Sequence, residues 1–96
     1  MVKHVILWKL KDGVTDSDKL KAKAALEDLK GKIEGLVDIK VNIHPLPSSN
    51  VDMMLDSTFE SEDALKTYAT HPLHVAAADG FVRPITCARS CMDYEV

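Results

Sequence analysis

Residues 2–11, VKHVILWKLK, constrain the fold of this chain more than any other segment. The segment holds neither glycine nor proline. Its middle joins valine, isoleucine, leucine and tryptophan, side chains that fit a pleated, half-buried surface. It therefore reads as a β-strand. Successive side chains of a strand point to opposite faces, so His4, Ile6, Trp8 and Leu10 share one side and Lys3, Val5, Leu7 and Lys9 the other. Both sides are apolar at mid-strand. Such a strand belongs inside a sheet and needs cover on both faces, the second cover coming from the same chain or from another subunit.

The remaining segments supply that sheet and one layer of cover. Asp12-Gly13 makes a turn, and Thr15, Asp16 and Ser17 are candidate N-caps for a helix that runs to about Leu29 or Lys30. Its apolar stripe is Ala22, Ala25, Leu26, Leu29 and Ile33, at spacings of three and four, and Gly31 and Gly35 end it. A second strand over 36–46 alternates Val37, Ile39, Val41 and Ile43 with Asp38, Lys40, Asn42 and His44. A loop rich in proline and serine leads to a third strand over 51–59. Ser61 caps a short helix with Glu62 and Asp63 in its first turn, and this helix carries Leu65 and Tyr68 inward. Pro72 ends it, because a proline disfavours helical dihedrals in the preceding residue, and Pro72 itself starts a further helical turn to about Asp79. A last strand covers about 88–95. The order β-α-β-β-α-β predicts an α+β, ferredoxin-like domain: a four-stranded antiparallel sheet with its helices on one face. The other face is left bare, an apolar surface of the kind that drives dimerisation.

Size and charge narrow the function. Ninety-six residues make one domain, over 1–96. A chain of this length buries only roughly 60–65% of its unfolded surface, so association adds core that the monomer lacks. A net charge of −3 argues against nucleic-acid binding, which needs a basic stripe to neutralise phosphates. The lysines within 19–32 are interleaved with acidic residues and make a solvated helix face. No apolar run approaches the ~18–20 residues of a membrane span, and the N-terminus lacks a signal-peptide pattern, so a cytoplasmic location is expected. Cys87 and Cys91, four apart with no second pair and no histidine at zinc spacing, read as free thiols.

The chemistry concentrates in YATHPLHVAAADGF, residues 68–81. A neutral histidine accepts a proton near neutral pH, and a tyrosine hydroxyl in a dry site donates to a developing oxyanion without ionising. Tyr68 and His74 are six apart across Pro72, so the helix break can fold both into one pocket. His4 shares a strand face with Ile6 and Trp8 and can orient either group. Trp8 has two readings: it fills the space between sheet and helix, or it walls a pocket. His71-x-x-His74 does not match a zinc pair, which takes histidines at i and i+4 on an unbroken helix, and no metal is expected.

The segments VKHVILWKLKDGV, TFESEDALKTYATHPLHV and MDYEV resemble the stress-responsive α/β-barrel domain family over nearly the whole chain. The resemblance implies a dimeric α/β barrel, a homodimer whose two sheets pack face to face. Most members of the family have no assigned reaction. A plant member, a polyketide cyclase, performs an aldol cyclisation without metal or organic cofactor in a pocket between sheet and helices. By motif, the catalytic pair of that member maps to Tyr68 and His74, with His4, Ile6, Trp8, Leu26, Leu55 and His71 expected around the substrate. Ala22, Leu26 and Ala77 stand where the cyclase has aromatic walls, and Trp8 replaces a leucine, so a different ligand shape is implied. Two functions follow as expectations. One is a cofactor-independent lyase, cyclase or isomerase on a small apolar or carbonyl compound; the other is a non-catalytic, stress-associated or ligand-binding dimer.

Overall fold

The computed structural model describes residues 1–96. Strand β1 (Val2–Leu10) lies inside the sheet, as its two apolar faces require. It pairs antiparallel with β3 (Met53–Phe59) on one side and with β4 (Thr86–Glu95) on the other, and β2 (Leu36–Asn42) flanks β3. The sheet order is β2-β3-β1-β4. One face of the sheet is covered by α1 (Asp16–Glu27), α2 (Glu62–Thr70) and α3 (Pro72–Ala77). The core beneath them holds Ile6 and Trp8 of β1, Met53, Leu55 and Phe59 of β3, and Leu26 of α1. No helix is long and apolar enough to cross a membrane.

Capping sets the helix starts. The Thr15 hydroxyl accepts from the Asp18 N–H and the Asp18 carboxylate accepts from the Thr15 N–H, each at 3.1 Å, a reciprocal box that fixes the first turn of α1. At α2 the Ser61 hydroxyl accepts from the Ala64 N–H at 3.1 Å. The regular part of α1 stops at Glu27, short of the expected Leu29, and turns carry the chain to β2 with Leu29 and Ile33 still buried. Gly35 ends this passage at φ +86°, where a Cβ would lie 2.5 Å from the Ala64 Cβ. The left-handed backbone and the close approach of α2 both require glycine there.

Two segments depart from the expected pattern. In β2, Leu36 opposes Phe59 while Asp38 opposes Thr58, so Val37 is an extra residue in a bulge. Leu36 is buried in its place, Val37 is pushed to the surface, and only Ile39, Val41 and Ile43 of the expected row point inward. The strand also ends at Asn42 instead of Leu46, and β3 begins at Met53 instead of Val51. After α3 the chain does not leave the helical region near Asp79. It widens into a π turn over Ala78–Val82 and tightens into a 3₁₀ turn over Arg83–Ile85, and the Lys11 N–H then bonds the Ile85 carbonyl at 2.8 Å.

The second face of the sheet has no helix on it. Val5, Leu7 and Met54 are half-buried there by their neighbours, and Met92, opposite Val5 in register, is 66% exposed.

Candidate active site

The helix break at His71 builds the site. His71 is extended, at φ −65° and ψ 133°, as a residue before proline must be, and Pro72 restarts the helix at its first position. The reversal lays the His74 ring over the Tyr68 ring, centroids 4.1 Å apart and planes 33° apart. Tyr68 is held from the other side by Phe59, edge to face at 4.9 Å. Between this pair and the sheet lies a cavity of about 350 Å³.

Tyr68 is 1% exposed, yet its hydroxyl has no hydrogen-bonding partner in the protein. A buried hydroxyl in that state costs about 1–3 kcal/mol, so it is retained at the expense of stability. Burial also pushes the phenol well above its ordinary range, so it stays protonated and remains a donor.

His74 is biased the opposite way. Its burial holds the imidazole below the usual histidine range, and the positive charges of Arg83 and Arg89 act in the same sense, against a hydrogen bond to the Ala69 carbonyl that favours the charged form. That bond, 3.2 Å from Nδ1, also sets the tautomer. A carbonyl oxygen only accepts, so Nδ1 carries the proton and the free lone pair is on Nε2.

His4 stands behind them, its ring centroid 6.4 Å from that of Tyr68. Its Nδ1 is bonded to the carboxylate of Asp93, which lies opposite it in the β1–β4 register. The Cys91 thiol donates to the same carboxylate at 3.5 Å and lies 3.7 Å from the His4 nitrogen. Cys91 is a free cysteine, as its spacing suggests, but it is not isolated: nitrogen, sulfur and oxygen of these three residues lie within 4.8 Å of one another. They are engaged with each other, and burial, reinforced by Asp93, raises the thiol above its ordinary range.

The expected residues divide cleanly. His4, Ile6 and Trp8 of β1 line the cavity, as do Leu26, Leu55, Tyr68 and His74. His71 does not: its Nδ1 accepts from the Leu73 N–H at 3.1 Å and caps α3. Trp8 is 4% exposed and forms a wall, and the cavity persists beside it. Ala22 and Ala77 are buried but lie off the cavity; Ala78 and Val82 of the π turn line it instead. The sequence reading missed Arg83 and Arg89, which also line it. Arg89 had a signal. It faces Trp8 in register, on the same strand face as Cys91 and Asp93, so alternation extended through β4 points it at the cavity. Arg83 had none, because its placement depends on the π turn.

The sequence model of the stress responsive A/B barrel domain family matches residues 2–96. An uncharacterised protein of Streptomyces coelicolor is 36% identical over 80 residues, 79% of this chain and 81% of its own. A solved structure from Bacteroides fragilis, described as a dimeric protein of unknown function with a ferredoxin-like fold, is 38% identical. It superposes with a TM-score of 0.86 over 99% of this chain and 95% of its own. A protein of Arabidopsis thaliana, 27% identical, gives a TM-score of 0.87 over 100% and 95% of the two chains.

Proposed function

This chain belongs to the stress-responsive A/B barrel domain family, and we propose that it is a homodimer whose protomers each carry a cofactor-independent site for proton transfer on a small carbonyl compound. The reaction class is lyase, cyclase or isomerase. The observation that carries the reading is the buried, unpartnered Tyr68 hydroxyl beside an imidazole held neutral.

The two groups have complementary tasks. The Tyr68 hydroxyl donates to the substrate carbonyl oxygen, which satisfies the orphaned group. The lone pair of His74 Nε2 takes a proton from the carbon next to that carbonyl. The electron pair of the broken C–H bond moves into the enolate, whose oxygen Tyr68 continues to hold; such a donor strengthens as charge develops in a site that excludes water. The enolate then takes the proton back from the His74 imidazolium, at the other face of the same carbon or at the far carbon of a conjugated enolate, or its carbon attacks a second carbonyl whose oxygen that imidazolium protonates. Either ending returns both side chains to their starting states. The carboxylate of Asp93 on His4 Nδ1 fixes that ring at the back of the pocket.

The uncovered sheet face supports the homodimer. Val5, Leu7 and Met54, with the exposed Met92, place apolar side chains on the side away from the Tyr68–His74 cavity, with the Lys3–Asp56 ion pair among them. The Bacteroides fragilis relative, described as dimeric, supports the same assembly.

Exchange of deuterium into the α-carbon of small ketones and 1,3-dicarbonyl compounds, followed by proton NMR, tests the reaction. Catalysed exchange is expected with the natural chain and its loss with His74→Ala. Binding without exchange across the series would overturn the catalytic reading and leave a ligand-binding dimer.

A further inference from the structure

The chain has ten lysines but only two arginines, and both arginines, Arg83 and Arg89, line the one cavity that holds Tyr68 and His74. They reach it from different elements, Arg83 from the 3₁₀ turn and Arg89 from the inner face of β4. Arg83 is paired with Asp79 one turn back, at the surface. Arg89 has no carboxylate within ion-pairing distance, although Asp93 lies four residues further along the same strand face. An arginine without a counter-charge at the edge of a mostly apolar cavity is a site for a planar anion, because its forked N–H groups match two carboxylate oxygens.

Building on the proton-transfer reading above, we propose that the carbonyl substrate also bears a carboxylate, held by Arg89 with Arg83 beside it, while its carbonyl oxygen meets Tyr68. The apolar walls of Ile6, Trp8, Leu55 and Val82 take the hydrocarbon between the two polar ends. A volume of about 350 Å³ suits one small molecule. A carboxylate fits better than a phosphate, because the cavity adjoins the last turn of α2, where Tyr68 and Ala69 lie and the helix dipole disfavours a dianion.

Trp8 is the single tryptophan and lies on the cavity wall, so its emission reports occupancy. The probes are cyclohexanecarboxylate, cyclohexanecarboxamide and cyclohexylphosphonate, none of which absorbs where tryptophan is excited. The carboxylate is expected to shift the emission saturably and to bind roughly tenfold more tightly than the amide, the difference made by a charge-assisted fork. Arg89→Gln should remove that difference and leave the amide unchanged, and Arg89→Lys, which keeps the charge without the fork, should restore part of it. Equal affinity for acid and amide, tighter binding of the phosphonate, an undiminished preference in Arg89→Gln, or no saturable binding overturns the inference. Amide binding alone defeats the carboxylate and spares the Tyr68–His74 site. Carboxylate binding without α-carbon exchange in any compound defeats the reaction and spares the anion site.

Discussion

The imidazole of His74 lies over the phenol of Tyr68 at a centroid distance of 4.1 Å, although the two are separated by a helix end, an extended residue and a proline. Burial acts on the two rings in opposite chemical senses. It keeps the proton on the phenol and disfavours one on the imidazole, in two residues that line the same cavity.

The orphaned hydroxyl makes Tyr68→Phe a diagnostic change. The substitution keeps the ring against Phe59 and His74 and deletes only the oxygen. Stability is expected to hold or rise by about 1 kcal/mol, since no protein hydrogen bond is lost and a buried polar atom is removed. Carbon-acid exchange should fall by about a hundredfold as the oxyanion donor is lost. Urea unfolding and the exchange rate measure the two effects; a drop in stability above 1 kcal/mol would show that the hydroxyl has a partner after all.

The lowered affinity of His74 for protons has two consequences for pH dependence. The folded protein resists protonation there more than the unfolded chain does. On acidification through the ordinary histidine pKa, about 6.5, the unfolded state therefore takes up a proton first and stability declines. The decline ends below the depressed folded pKa, where both states are charged. Activity follows the neutral form, so the rate should rise with pH with its midpoint below the ordinary histidine pKa. Titration of the His74 ring protons by NMR, set beside the rate profile, tests this. A midpoint at or above about 6.5 contradicts it.

The bare sheet face gives a prediction of mass and of its loss. The natural chain should sediment as a dimer of about 21 kDa, twice the 10.6 kDa of one chain. Met92→Asp places a charge opposite Val5 on the edge strand of this face and should shift the particle towards the monomer, because an unpaired charge is costly inside an interface. Retention of the dimer in sedimentation would move the contact elsewhere.

Most of this fold can be read in the sequence where the pattern is local. The two faces of β1, the caps at Thr15 and Ser61, and the break at His71-Pro72 each depend on residues a few positions apart. The β2 bulge does not. Val37 continues the alternation of its own strand, and only pairing with β3 reveals that Leu36 occupies the inward place. The site divides in the same way. Tyr68, His74 and the β1 residues follow from short-range spacing and family resemblance. His71 shows that a histidine in a signature can serve the backbone, since its ring caps the helix that its neighbour Pro72 begins. Arg83 is hidden because a π turn brings it in and leaves no periodic trace, whereas Arg89 follows once the alternation of β4 is carried through its register with β1.

Strand β1 carries two separate records in one stretch of nine residues. Its even positions, His4, Ile6 and Trp8, meet the cavity, and its odd positions, Val5 and Leu7, meet the opposite face. A substitution at an even site changes what the pocket admits without touching the outer surface, and one at an odd site does the reverse. One strand thus serves two surfaces at once, and the parity of a position decides which of them a single substitution reaches.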